Sequence, residues 1–130
     1  MPESAKTTPP APLPAEDVLR IAAAAADAKK GVDISAIKVR DLSSIADYFL
    51  FISATSTTQA RAIYEGIDEA LSKRGVEPLN VEGKNEMRWV LLDYADVIIH
   101  VFLNEAREFY GLERLWGDAP KVDLQDPAQG

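Results

Sequence analysis

Apolar and polar positions alternate most sharply between Trp89 and Phe102, where WVLLDYADVIIHVF sets two apolar runs around an Asp-Tyr-Ala-Asp corner. The pattern predicts a β-hairpin. With Asp93 opposite Asp96, antiparallel pairing places Leu92 against Val97, Leu91 against Ile98, Val90 against Ile99 and Trp89 against His100. Side chains alternate between the two faces of a strand. One face then carries Val90, Leu92, Val97, Ile99 and Val101, all aliphatic, as a core beneath a helix requires. The other carries Trp89, Leu91, Asp93, Asp96, Ile98, His100 and Phe102. That set is too apolar to stand idle in water and too charged at its tip for simple core, the composition of a partner-binding patch with a polar rim. The corner lacks Asn-Gly or Asp-Gly, and a two-residue type I′ turn would put both Tyr94 and Ala95 at positive φ. A four-residue loop built on a type I turn is expected instead, with the same cross-strand pairs.

The rest of the chain reads around this hairpin. Residues 1–14 hold five of the eight prolines among Ser, Thr, Ala and Lys, a composition that cannot bury enough apolar surface to offset ordering entropy, and a disordered tail is expected. The run EDVLRIAAAAADAKK predicts a first helix that opens with acids, closes with lysines and meets Gly31 at C′. Its stripe of Val18, Leu19, Ala22, Ala25 and Ala26, with the stem of Lys29, is thin, so docking on a sheet edge or a partner is expected. Ile34 to Val39 alternates as a short strand, and Asp47 to Ala54 forms a second. The run TSTTQARAIYEGIDEALSKRG begins with capping hydroxyls, lines up Ala60, Ile63, Ile67, Ala70 and Leu71, turns Arg61, Glu65, Asp68 and Lys73 to solvent, and stops at Gly75. This is the main core helix. Pro78 to Val81 makes a short strand before the hairpin. In the last segment, NEAREFYGLERLWGDAP, an interrupted helix places Phe109, Leu112, Leu115 and Trp116 as anchors before Gly117 and Pro120 end it. The order α-β-β-α-β-β-β-α implies an α+β fold with a mixed sheet of about five strands under packed helices, not a doubly wound dinucleotide fold. The folded domain is expected over residues 15–124, with residues 125–130 a flexible end.

At 130 residues the chain can bury a core without staples, and the absence of cysteine excludes disulfides, thiolate zinc sites and Cys nucleophiles. No apolar run approaches the roughly 18 to 20 residues of a membrane span and no signal-peptide pattern opens the chain, so a cytosolic protein without a membrane partner is expected. A formal net charge of −7 disfavours nonspecific nucleic-acid wrapping and favours a basic partner, unless it serves solubility alone.

Converging catalytic groups are few. His100 is the single histidine and, paired with Trp89, fits a packed or interface residue better than a general base. Asp93 and Asp96 at an exposed turn fit solvated tip residues, because hard cations want six or more oxygens and no third ligand is fixed nearby. Asp47 at a strand start fits a local hydrogen-bond acceptor. Thr55 to Thr58 lack the glycines and adjacent Lys of a phosphate loop and read as caps. No cofactor is implied. Trp89, heading a strand whose face ends in carboxylates, has the profile of an interface anchor; the alternative is that the first or last helix covers that face.

The segments LSSIADYF (Leu42 to Phe49), VEG (Val81 to Gly83), WVLLDYADVIIHVF and REFYGLERLWGDAP (Arg107 to Pro120) together resemble the ribosomal silencing factor family, also called the Iojap family, over about residues 16 to 124 in order and spacing. The resemblance implies a nucleotidyltransferase-like fold without catalysis. It also implies a protein that binds the large ribosomal subunit through ribosomal protein L-fourteen, keeps the small subunit from joining, represses translation when nutrients are scarce, and in some members forms homodimers when free. Laid onto this chain, Trp89, Leu91, Asp93, Tyr94, Asp96, Ile98 and His100 would form much of the docking surface, its acidic tip meeting a basic protein. The family usually has Gly where Ala95 stands, and Glu86-Met87 replaces a commoner small or glycine-containing turn before Trp89. Two other readings remain: a magnesium-dependent phosphoryl-transfer enzyme using Asp47, Asp93 and Asp96, and a homodimeric assembly adaptor.

Overall fold

The computed structural model describes residues 13–41, 45–111, 114 and 116–124. Its elements run α1 (Ala15–Ala28), β1 (Val32–Lys38), β2 (Tyr48–Ala54), α2 (Thr57–Ser72), β3 (Asn80–Glu82), β4 (Trp89–Asp93), β5 (Val97–Leu103), α3 (Asn104–Tyr110) and β6 (Lys121–Val122). The strands form one mixed sheet in the order β3-β4-β5-β2-β1-β6. Only β2 and β5 pair in parallel; the other neighbours are antiparallel. The expected α+β architecture is present with one more strand, β6, whose two residues are too short to leave a periodic signal.

Helices α1 and α2 lie on one face of the sheet and build the main core. Val18, Leu19, Ala22, Ala23 and Ala26 of α1 and Ala60, Ile63, Ile67 and Leu71 of α2 meet Leu50, Ile52, Val90, Leu92, Val97, Ile99 and Val101. The expected edge position of α1 is corrected. A stripe of alanines lets the helix lie close to its neighbour, and a Cβ added at Gly66 of α2 would stand 3.2 Å from the Lys29 side chain. Small residues thus replace a wide apolar stripe with proximity, so α1 belongs to the core layer.

Helix ends follow their capping chemistry. Gly31 N–H donates to Ala26 O and Lys30 N–H to Asp27 O, which makes Lys30, at φ 69°, the C′ residue and Gly31 the one after it. Gly31 was expected at C′. Its own requirement is steric, because a Cβ there would stand 2.9 Å from Ile52 Cγ2. Helix α2 ends as expected at Gly75, φ 79°, with Val76 N–H donating to Leu71 O. At its start Ser56 Oγ accepts from Gln59 N–H. Gln59 in turn accepts from Thr55 N–H and donates to Lys30 O, tying the start of α2 to the end of α1.

Leu13 packs against the main core and the Pro14 carbonyl caps α1, so these two residues of the expected tail belong to the fold. Among the described residues no helix is long and apolar enough to cross a membrane.

A half-open aromatic face on the sheet

The hairpin forms, with its register two residues away from the expected one. Trp89 lies opposite Phe102, Val90 opposite Val101, Leu91 opposite His100, Leu92 opposite Ile99 and Asp93 opposite Ile98. An even shift leaves every strand residue on its expected face, since the side-chain period is two. What moves is the corner. Tyr94 N–H donates to Val97 O, and Ala95 and Asp96 make the turn, with only Ala95 of the two at positive φ, 70°. The four-residue loop is therefore replaced by a two-residue corner with the φ signs of type II′. Asp93 Oδ1 accepts from Ala95 N–H at 2.8 Å and holds it in place. Asp96 carbonyl accepts from Asp47 and Tyr48 N–H, which joins the corner to the start of β2.

This register turns Tyr94 into the main core, away from the patch in which it was expected. Burying an aromatic ring there explains the displaced corner. Its hydroxyl has no hydrogen-bond partner among the described residues, and burial, with Asp68, Glu77 and Tyr64 around it, pushes the phenol well up.

On the opposite face of the sheet the side chains form a second, aromatic cluster. Phe49 and Phe51 of β2, Ile98 and Phe102 of β5, and Ile37 of β1 are buried there, joined by Ala106 and Ala119, while Trp89, Leu91 and Trp116 are partly covered. Of the expected patch, the β4 row of Trp89, Leu91 and Asp93 is only partly exposed, and Asp96 is exposed at the tip. Ile98 is 8% exposed and His100 4%. The physical reason is the position of β5, flanked on both sides by strands whose large side chains close over its row. His100 lies with ring centroids 5.4 Å from Phe49, 5.3 Å from Phe51, 5.9 Å from Trp89 and 5.8 Å from Phe102.

Trp89 and His100 meet diagonally instead of directly opposite. The indole Nε1–H donates to His100 Nδ1 at 3.1 Å. An imidazole accepting at Nδ1 is neutral with its proton on Nε2, and burial pushes its pKa down to about 4. The Nε2 atom is buried with no partner among the described residues. The pair therefore fixes the orientation of the half-exposed indole from a buried base that stays uncharged in neutral solution. His100 is a positioning residue for Trp89.

Sequence reading missed a second device. Arg107 of α3 donates to Asp33 O at 2.6 Å, Ser53 Oγ at 2.8 Å and Ser35 Oγ at 3.1 Å, with its guanidinium 5.9 Å from the Phe51 ring centre. This clamp pins α3 over β1 and β2. Two hydroxyls on outward positions of adjacent strands were the available signal. Trp116 packs edge-on against Phe49 at 5.2 Å, as its anchoring role predicts, whereas the side chains of Phe109, Leu112 and Leu115 lie outside the described residues.

Of the carboxylates weighed for phosphoryl transfer, Asp47 accepts from Arg40 at 3.2 Å and Asp93 serves its own corner. Among the described residues no three histidines or acids gather closely enough to hold a metal ion.

The geometry defines a class: a small α+β domain with one sheet face sealed by helices and the other presenting a partly open aromatic row. Two crystal structures share the fold. One, of a Chromobacterium violaceum protein, is 30% identical with a TM-score of 0.79 over 81% of this chain and 88% of that one. The other, of a Bacillus halodurans protein, is 34% identical with a TM-score of 0.74 over 83% and 98%. The family model described as "Ribosomal silencing factor during starvation" matches residues 12–130. Bacillus subtilis ribosomal silencing factor is 44% identical over 109 residues, covering 84% of this chain and 92% of that protein. The chain belongs to the ribosomal silencing factor family.

Proposed function

We propose that this protein binds the large ribosomal subunit through its basic protein L-fourteen, covers surface that the small subunit needs, and so represses translation without catalysing a reaction. The observation that carries this reading is the β4 row. Trp89 and Leu91 stand half-exposed, Asp93 and Asp96 mark the tip, and the indole is already held by His100. An anchor whose rotamer is fixed before binding loses little entropy on docking. The carboxylates, on a chain of net charge −7, add orientation and association rate toward a basic protein. Of the seven residues first proposed for the contact, Trp89, Leu91, Asp93 and Asp96 would touch the partner, while Ile98 and His100 would support them from beneath and Tyr94 from the core. The same row would pair with a second copy in a free homodimer, and the site of action would be the cytoplasm.

The test is co-sedimentation of the purified protein with large subunits at near-physiological salt, together with light-scattering of subunit joining. Binding and blocked joining are expected, and Trp89→Ala should weaken binding by about 2 kcal/mol, roughly thirtyfold, with its circular dichroism intact. Absence of co-sedimentation would defeat the reading. Unchanged binding by the variant would remove Trp89 from the contact.

A further inference from the structure

A cleft of about 570 Å³ opens between β1, the start of β6 and the segment that follows α3. Its charge runs against the rest of the molecule. The chain carries 21 acids and 14 lysines and arginines, yet among the described residues the cleft is lined by Arg107, Arg114 and Lys121 against the single carboxylate of Asp33. Arg107 is held in place by the Asp33 carbonyl and the hydroxyls of Ser35 and Ser53. The Arg114 guanidinium rests over Gly111, where an added Cβ would lie 2.7 Å from its Nη2. Among the described residues neither Arg114 nor Lys121 has a side-chain hydrogen bond or ion pair. The rest of the described lining is mostly apolar and includes Ile34, Ile37, Trp116 and Ala119.

A concavity of this size, cationic on one side and apolar on the other, suits a small molecule that is polyanionic at one end and flat and apolar at the other. Unpaired Arg and Lys beside a pinned Arg are the donor set for phosphate oxygens. We propose that this cleft binds a nucleoside polyphosphate, its phosphates taken by Arg114 and Lys121 with Arg107 behind them and its base in the apolar half beside Trp116. An extended nucleic acid fits less well, because it wants a basic stripe along the surface and not a single recess. The site is separate from the β4 row, so its occupation does not depend on the ribosomal reading.

Isothermal titration and thermal melting of the full chain with ATP, GTP and inorganic tripolyphosphate, at low and at physiological salt, test the proposal. One saturable site per chain for the nucleotides is expected, with weaker binding of tripolyphosphate because the apolar half stays empty. Arg114→Ala and Lys121→Glu should each weaken nucleotide binding about tenfold or more, the loss of one charge-assisted contact. Lys84→Glu makes the same charge change at the opposite sheet edge and should leave the affinity as it was. No saturable binding would overturn the proposal, and so would equal affinity for tripolyphosphate, an equal loss in Lys84→Glu, or binding confined to oligonucleotides.

Discussion

The buried imidazole makes the stability of this protein depend on pH in a way that can be isolated. His100 titrates at about 4 in the folded chain and at about 6.5 when unfolded. The unfolded chain therefore takes up a proton as pH falls below 6.5, while the folded chain stays neutral down to about 4, and stability falls across that window. Above about 6.5 the group costs nothing, and below 4 no further loss accrues from it. A displacement of about two and a half units corresponds to roughly 3 kcal/mol in full, of which about 2.5 kcal/mol is lost by pH 4.5. Many carboxylates titrate over the same range, so the measurement is a difference. Urea denaturation of the wild type and of His100→Gln, whose amide oxygen can still accept from the Trp89 indole, should be compared at pH 7.5 and 4.5. The carboxylate contributions cancel between the two proteins. The stability of wild type relative to the variant should drop by about 2.5 kcal/mol on acidification. A difference that stays constant to within about 0.5 kcal/mol would mean that the imidazole is not buried as described, and the support it gives Trp89 would fall with it.

Three further outcomes follow from the geometry. Ala95→Gly should stabilise the chain by about 1 kcal/mol, because a non-glycine residue at φ 70° bears a left-handed backbone cost; an unchanged or lowered melting temperature would count against the corner described. Gly83→Ala should destabilise by more than about 2 kcal/mol, since φ is 84° and a Cβ there would collide with the Trp89 carbonyl oxygen; wild-type thermal stability would show that the β3–β4 connection takes another path. Asp96→Lys changes the exposed tip charge without touching the Asp93 hydrogen bond that holds the corner. It should slow association with large subunits in stopped flow and reduce the dependence of the rate on salt, and a salt-independent wild-type rate would refute the electrostatic part.

The chain by itself determined the element order as far as α3, the stop at Gly75, the assignment of strand residues to faces, and the pairing of an aliphatic face with an aromatic one. These are local or periodic properties: a capping glycine and an alternation of side chains act within a few residues, and a period of two survives a register slip of two. The sequence segments shared with ribosomal silencing factors also lie in order along the chain. Tertiary structure decided the rest. It moved the hairpin corner because Tyr94 gains more in the core than on the patch, and it drew the alanine-rich α1 into the main layer because small side chains allow close approach to α2. It buried Ile98 and His100 while leaving Trp89 half-open, since exposure on a sheet depends on which strands and which large side chains stand on either side. It also assembled the Arg107 clamp from residues more than fifty positions apart. Such contacts are set by what the folded chain brings together in space, which no spacing along the sequence records.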